Sequence, residues 1–212
     1  MKIAILGSTG FVGRVLLKKA LAVGYEVKVL VRDPEKLGDL KDTVEVVQGN
    51  YFEADKVEQT IKGTEVILST IGPLAKDTGS PAQFERAMVD LISTMKNNHI
   101  KRIIWTGGAP TAFENEKLGL KRSLLKIVID LYWGKHVLHT KNLEYAVLAK
   151  SDLDWTLVRP PQIIDGKPTG NVIADENNLP GLTIDVEDVA HFLLAQINSD
   201  RWIKKAPLVA SK

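Results

Sequence analysis

Short apolar runs and longer amphipathic stretches alternate along the whole chain. Runs of strand length, rich in Val, Ile and Leu, fall at 2–6, 26–31, 44–48, 65–70, 102–106 and 154–159, with a late one near 206–210. Helical spacing recurs at 11–23, 54–62, 81–98 and 186–198, and a broken helical stretch covers 120–150. This alternation predicts a parallel sheet with helices on both faces. Right-handed crossovers favour the strand order 3-2-1-4-5-6, with the 206–210 run available as a seventh strand. Residues 161–183 are rich in Pro, Gly and Asn and too few for a second full domain. They read as a small C-terminal cap, inserted after the sixth strand above the carboxyl edge where ligands bind, within a single domain spanning 1–212.

Local signals support several boundaries. Ser80 precedes Pro81, a good helix start. Asp185-Val-Glu-Asp188 sets a capping carboxylate ahead of the apolar positions Val189, Phe192, Leu193 and Ile197. Gly24 stops the first helix before the strand that opens at Tyr25-Glu26.

Composition narrows the class. With 44% hydrophobic and 25% charged residues, the chain has the make-up of a soluble globular protein. A net charge of +2 is too small to imply a nucleic-acid or membrane surface, so neither is an expected partner. Zero cysteines exclude disulfides, thiol nucleophiles and thiolate metal sites. The first apolar run ends after about five residues, short of a secretory h-region. The longest later apolar stretch, Leu124 to Trp133, is interrupted by Lys126 and Asp130. A cytoplasmic location is the expectation.

The chemistry concentrates at the N-terminus. Lys2-Ile-Ala-Ile-Leu6 runs straight into Gly7-Ser8-Thr9-Gly10-Phe11-Val12-Gly13 and then into a helix. In a strand–turn–helix context, three glycines three apart fit a dinucleotide pyrophosphate. Gly7 permits the sharp turn, Gly10 leaves room for the phosphates, and Gly13 lets the helix lie close to the sheet, whose N–H groups face the anion. An ordinary Gly-rich turn is the competing reading. At the end of the second strand, where NAD-specific domains place an acid that holds the ribose hydroxyls, this chain has Arg32. A guanidinium there suits a 2′-phosphate, so NADPH is expected over NADH. The alternative for Arg32 is a surface pairing with Asp33 or Glu35.

The glycine motif, with Gly24-Tyr-Glu-Val-Lys-Val-Leu-Val-Arg32-Asp-Pro, resembles the atypical short-chain dehydrogenase/reductases. The resemblance is closest to the NAD(P)H-binding group containing flavin reductase/biliverdin-IXβ reductase and NmrA-like proteins. Val47-Gln-Gly49-Asn50, Ile67-Leu-Ser69-Thr70-Ile71-Gly72, Ile104-Trp-Thr106-Gly107-Gly-Ala109 and Ser151-Asp-Leu-Asp-Trp-Thr-Leu-Val-Arg159-Pro160-Pro161 extend it over essentially the whole chain. It implies a Rossmann-like α/β fold. It further implies that Asn50 meets the adenine and that Ser69, Thr70, Ile71 and Gly72 line the ribose and pyrophosphate path. Thr106, Gly107 and Pro160 lie on the remaining loops of the cofactor site.

The Tyr-x-x-x-Lys pair of alcohol-reducing relatives is incomplete. By the resemblance, its lysine falls on Lys141, and four residues earlier stands Val137. The family serine falls at or near Gly107, with Thr106 the only nearby hydroxyl, and a substrate-handling histidine maps near Gln162. Thr106, Lys141 and Gln162 are thus the weak catalytic candidates. Lys141 reads equally as a ribose or phosphate contact or as an exposed helix lysine. Tyr132 and Tyr145 lack the required spacing. A flavin, a quinone-like molecule or a similar planar acceptor tolerates the missing acid, because orientation then replaces a tuned proton donor. The expected function is NADPH-dependent reduction of such an acceptor; the alternative is a non-catalytic, NmrA-like redox sensor or regulator. His136 and His139 share a helix face without a matching ligand set, so no metal is expected. Trp105 reads as core, and Tyr132-Trp133 as facing the cap or a second subunit.

Overall fold

All six principal apolar runs become parallel strands of one sheet in the computed structural model. They are β1 (Lys2–Leu6), β2 (Glu26–Val31), β3 (Glu45–Gln48), β4 (Val66–Ser69), β5 (Arg102–Thr106) and β6 (Asp154–Val158), in the order β3-β2-β1-β4-β5-β6. The structure describes residues 1–73, 79–112, 116–132 and 134–212, so Trp133 lies outside the described residues. Successive side chains of a strand point to opposite faces. Ile3, Ile5, Val27 and Val29 therefore pack against α1 (Phe11–Ala22) and α6 (Val186–Ala195). Ala4, Leu6, Ile103 and Trp105 face α2 (Ala54–Ile61), α3 (Pro81–Asn97) and α5 (Lys135–Ala149). Each fully buried aliphatic side chain on these faces contributes about 1.5–3 kcal/mol, which is why the strands read as near-continuous apolar runs.

The expected helix boundaries have physical causes. Ser80 Oγ accepts from Gln83 N while Ser80 N donates to Gln83 Oε1 (2.8 Å), a reciprocal cap with Pro81 in the first turn. Asp185 accepts from Glu187 N at the start of α6. The 120–150 stretch breaks at Gly134 into α4 (Leu120–Tyr132) and α5. Lys28 is an exception to the apolar pattern of β2. Buried, it donates to the carbonyls of Gln59 (2.8 Å) and Lys62 (3.1 Å), where α2 ends, and pairs with Glu45, its register partner on β3. A cation at the negative end of a helix explains how a lysine is accommodated there.

The 206–210 run becomes β10 (Leu208–Ser211), but the sheet itself keeps six strands. The segment touches β6 through isolated parallel bridges, Thr156 with Lys205 and Arg159 with Leu208. It then pairs antiparallel with β8 (Val172–Asp175). The 161–183 region, expected only as loop-rich, holds β7 (Gln162–Ile164) and β8, and β9 (Thr183–Asp185) follows as the parallel partner of β7. Asp188 ties these pieces to α6. Its carboxylate accepts from Thr169 N (3.0 Å), Thr169 Oγ1 (3.1 Å), Gly170 N (3.0 Å) and Ser211 Oγ (2.6 Å). Burial pushes its pKa up, but the hydrogen bonds from Ser211, Thr169 and Gly170 prevail and hold it below the ordinary carboxylate range. Among the described residues no helix is long and apolar enough to cross a membrane.

Because the folded-state pKa of Asp188 is depressed, its ionised form stabilises the fold above the unfolded-state pKa. That contribution is lost as pH falls through the folded value. Asp188→Asn is expected to lower stability at neutral pH by about 1–3 kcal/mol, the range for charged hydrogen bonds. Denaturant unfolding at several pH values should show the gap to wild type closing on the acid side.

Candidate functional site

The turn between β1 and α1 is built around one backbone carbonyl. Gly7, at φ +86°, lets the chain reverse, and its carbonyl accepts from Gly10 N (3.0 Å) and Thr70 Oγ1 (3.2 Å). A Cβ at Gly13 would lie 2.0 Å from that same carbonyl oxygen, so only glycine lets α1 start this close. Gly10 is different: a Cβ there meets only Gly7 O, at 3.3 Å, and φ is −77°. A side chain at Gly10 would thus need the Gly7 carbonyl to give by a few tenths of an ångström, a far smaller conflict than at Gly13. The first turn of α1 has no acidic residue, and its N-cap, Gly10, carries no capping side chain. The N–H groups of Phe11, Val12 and Gly13 have no intrahelical partner by the geometry of any helix start. Ser8 is buried with its hydroxyl unpartnered among the described residues. A glycine cradle, free helix N–H groups and an orphaned hydroxyl fit a pyrophosphate.

Other expected residues gather around this turn. Ser69 is buried, Ile71 N donates to Ser69 Oγ (3.3 Å), and Thr70 joins the β4 loop to the glycine turn. Thr106 ends β5 with its hydroxyl buried and unpartnered among the described residues. Gly107 N donates to Val158 O (2.8 Å), and the Pro160 carbonyl accepts from Ala109 N (2.7 Å), which docks the β5 and β6 loops together. Asn50 is half-buried after β3, and its side-chain oxygen accepts from Phe52 N. Arg32 is exposed at the end of β2. Both nearby carboxylates are engaged elsewhere: Asp33 accepts from Glu35 N (3.1 Å), and Glu35 pairs with Lys41. Gln162 is exposed on β7. Val137, four residues before Lys141, is buried in α5.

The reading of Lys141 as an exposed helix lysine is corrected: it is buried on α5. Its Nζ donates to Glu144 Oε2 (2.7 Å) and to the Ile71 carbonyl (2.7 Å), and lies 5.6 Å from the Trp105 ring centroid. Glu144 is fully buried, and burial raises its pKa against the opposing charge of Lys141. The pair therefore holds the β4 loop at Ile71, two residues from Ser69 and one from Thr70.

Three residues escaped the sequence reading. Glu144 stands three residues after Lys141, an ion-pair spacing on a helix, which was the available signal. Arg14 directly follows Gly13 and donates to the Lys36 carbonyl (2.8 Å), reaching the turn that Arg32 opens. Tyr51, next to Asn50, is buried against Trp105 (ring centroids 5.9 Å apart) with its hydroxyl unpartnered among the described residues. Burial, followed by the charges of Glu144 and Asp90, pushes its pKa well up. His99 adopts a positive φ of 58° just past α3, a backbone role at a helix end.

The sequence model of the NAD(P)H-binding family matches residues 7–200. The chain belongs to that family. Tetraketide alpha-pyrone reductase 1 of Arabidopsis thaliana is 29% identical over 125 residues, 52% of this chain and 38% of that protein. Two further curated relatives are likewise matched over only 39% and 63% of their lengths. Among solved structures, the anaerobillin reductase ChuY of Escherichia coli O157:H7 superposes with a TM-score of 0.82 at 22% identity, covering 100% of this chain and 97% of that one. The oxidoreductase ylbE of Lactococcus lactis gives 0.81 at 22% identity, covering 100% and 91%. At these identities the structural likeness establishes the Rossmann-like fold.

Four substitutions, two in the glycine turn and two in the buried ion pair, separate packing from charge pairing. Gly13→Ala is expected to destabilise strongly, since the methyl meets backbone that cannot move aside, whereas Gly10→Val should retain the fold; thermal unfolding of both checks this. Lys141→Met should cost about 3–5 kcal/mol by stranding a buried carboxylate. Glu144 has a raised folded-state pKa, so this loss should grow as pH rises through the ordinary carboxylate range. Adding Glu144→Gln should recover most of it.

Proposed function

We propose that this protein is an NADPH-dependent reductase of a planar acceptor, a flavin or a quinone-like molecule. The observation that carries the reading is the carboxyl edge itself: the Gly7–Gly13 turn beside the buried, unpartnered hydroxyl of Thr106, with Val137 where the resemblance implies the tyrosine. When bound, reduced nicotinamide supplies a hydride. The chain's part is to hold and orient: Gly7 to Gly13 receive the pyrophosphate, Thr70 and Ile71 border its path, and Asn50 meets the adenine. Arg32 offers guanidinium donors to a 2′-phosphate. Lys141 positions the β4 loop through Ile71 in place of lowering a tyrosine pKa. With no tuned side-chain acid, the one proton that completes the reduction after hydride transfer comes from water, which a flavin tolerates and a simple ketone does not. The 161–183 segment serves as the substrate-side cap of a single domain. Similarity to proteins named as reductases, ChuY among them, supports the redox reading.

The buried Val137, together with Lys141 tied into the Glu144 pair, also favours a second reading, a non-catalytic NAD(P)-binding sensor. Oxidation of NADPH in the presence of FMN decides between them. Turnover with little pH dependence between about pH 6 and 8 is expected for the reductase, since a bell-shaped profile needs an essential group titrating there. Tight NADPH binding without turnover on flavins or quinones favours the sensor.

Arg32→Glu should reverse or abolish the preference for NADP(H) over NAD(H), and Gly10→Val should abolish binding of both while the fold survives. Cofactor titrations of the folded variants check each outcome, and equal wild-type affinities for the two cofactors would remove Arg32 from the site.

A further inference from the structure

Helix α4 packs Leu125 against Ala109, Leu179 and Leu208 but leaves most of its aliphatic residues outside. Its aliphatic residues Leu120, Leu124, Ile127, Val128 and Leu131 form one stripe, and the structure leaves that stripe in solvent. Leu120 is 78%, Ile127 62% and Leu131 77% exposed. The buried position is Arg122, whose guanidinium donates to the carbonyls of Ala109 (2.7 Å) and Thr111 (2.8 Å) and pairs with Glu116. Leu120 and Leu124 stand two residues either side of Arg122, hence on the opposite face of the helix. The helix cannot roll its apolar stripe inward without stranding that buried cation.

The charge around the stripe points to its occupant. Lys117, Lys121, Lys126 and Lys135 are exposed along and beside α4. The carboxylates among the described residues of the same stretch, Glu116 and Asp130, pair with Arg122 and Arg159 and with Lys126. A net charge of +2 for the chain conceals this local excess. A second copy of the same face would set lysines against lysines. At 13 residues, α4 is about 20 Å long, too short to cross a hydrocarbon core of about 30 Å but suited to lie in its surface. We propose that α4 is an interfacial helix that docks this protein on an anionic lipid bilayer, its aliphatic stripe in the acyl boundary and its lysines at the phosphate level.

Co-sedimentation of the full chain with vesicles tests this. With phosphatidylcholine vesicles containing phosphatidylglycerol at low salt, wild type should pellet, and pelleting should weaken with added salt and on pure phosphatidylcholine. Leu124→Glu with Ile127→Glu should leave the protein in the supernatant, with wild-type circular dichroism and unfolding midpoint. Lys117→Glu with Lys121→Glu should weaken binding by about five-fold or more per lysine. Failure of wild type to pellet with anionic vesicles, or undiminished pelleting of the Leu124/Ile127 variant, overturns the proposal. A concentration-dependent dimer that this variant dissolves, in a protein that ignores vesicles, would assign the stripe to a second copy instead.

Discussion

Three separate parts of the molecule converge on the carbonyl of Gly7. The turn closes on it through Gly10 N, the β4 loop reaches it through Thr70 Oγ1, and α1 passes so near that position 13 has no room for a methyl. The carbonyl is thus a shared acceptor that fixes strand, loop and helix relative to one another. Lys141 and Glu144 extend the arrangement from the other side of the sheet, because the Ile71 carbonyl they hold belongs to the same loop. A line of polar contacts runs from the interior of α5 to the glycine turn at the start of α1. Rigidity in a site of this kind serves orientation, since a hydride donor and acceptor must meet face to face.

Much of this was legible in the sequence, and unevenly so. The parallel sheet was readable because strands covered on both faces are near-continuous apolar runs, as the centres of β1, β4 and β5 are and as β2 is apart from Lys28. Helix starts at Ser80 and Asp185 were readable because a cap is a local device. The strands β7, β8 and β9 were not, since three or four residues among Pro and Gly carry no usable period. For the site, the glycine turn was readable because its chemistry is in consecutive residues. The environment of Lys141 was not: the side chain's fate depends on Ile71, some seventy positions away in sequence. Likewise the amphipathic period of α4 was visible, but its outward orientation follows from Arg122 reaching Ala109 and Thr111.

Buried charge is used here as fastening. Arg159 is nearly inaccessible, yet it donates to the carbonyls of Ala206 (2.8 Å), Thr111 (3.0 Å) and Glu176 (3.1 Å) and pairs with Glu116. It so connects β6, the β5 loop, the cap and the approach to β10. Glu116 feels burial pushing its pKa up and the two arginines pulling it down, and the arginines prevail. An apolar residue at 159 could fill the volume but could not join four backbone segments at once, which is what a planar guanidinium does well.

The C-terminal segment has a consequence for how copies of this chain meet. A parallel sheet normally ends in two strands with unpaired N–H and C=O groups, each a template for another chain. Here Leu157 N donates to Lys205 O, Arg159 N to Pro207 O and Lys204 N to Trp155 O, so the β6 margin is already occupied. The opposite margin, β3, is four residues long and carries the exposed, ion-paired Glu45. Neither border can be extended by a neighbour's strand over any useful length. Sheet-to-sheet pairing through β6 is therefore blocked by residues 204–207, and β3 offers a neighbour only four residues.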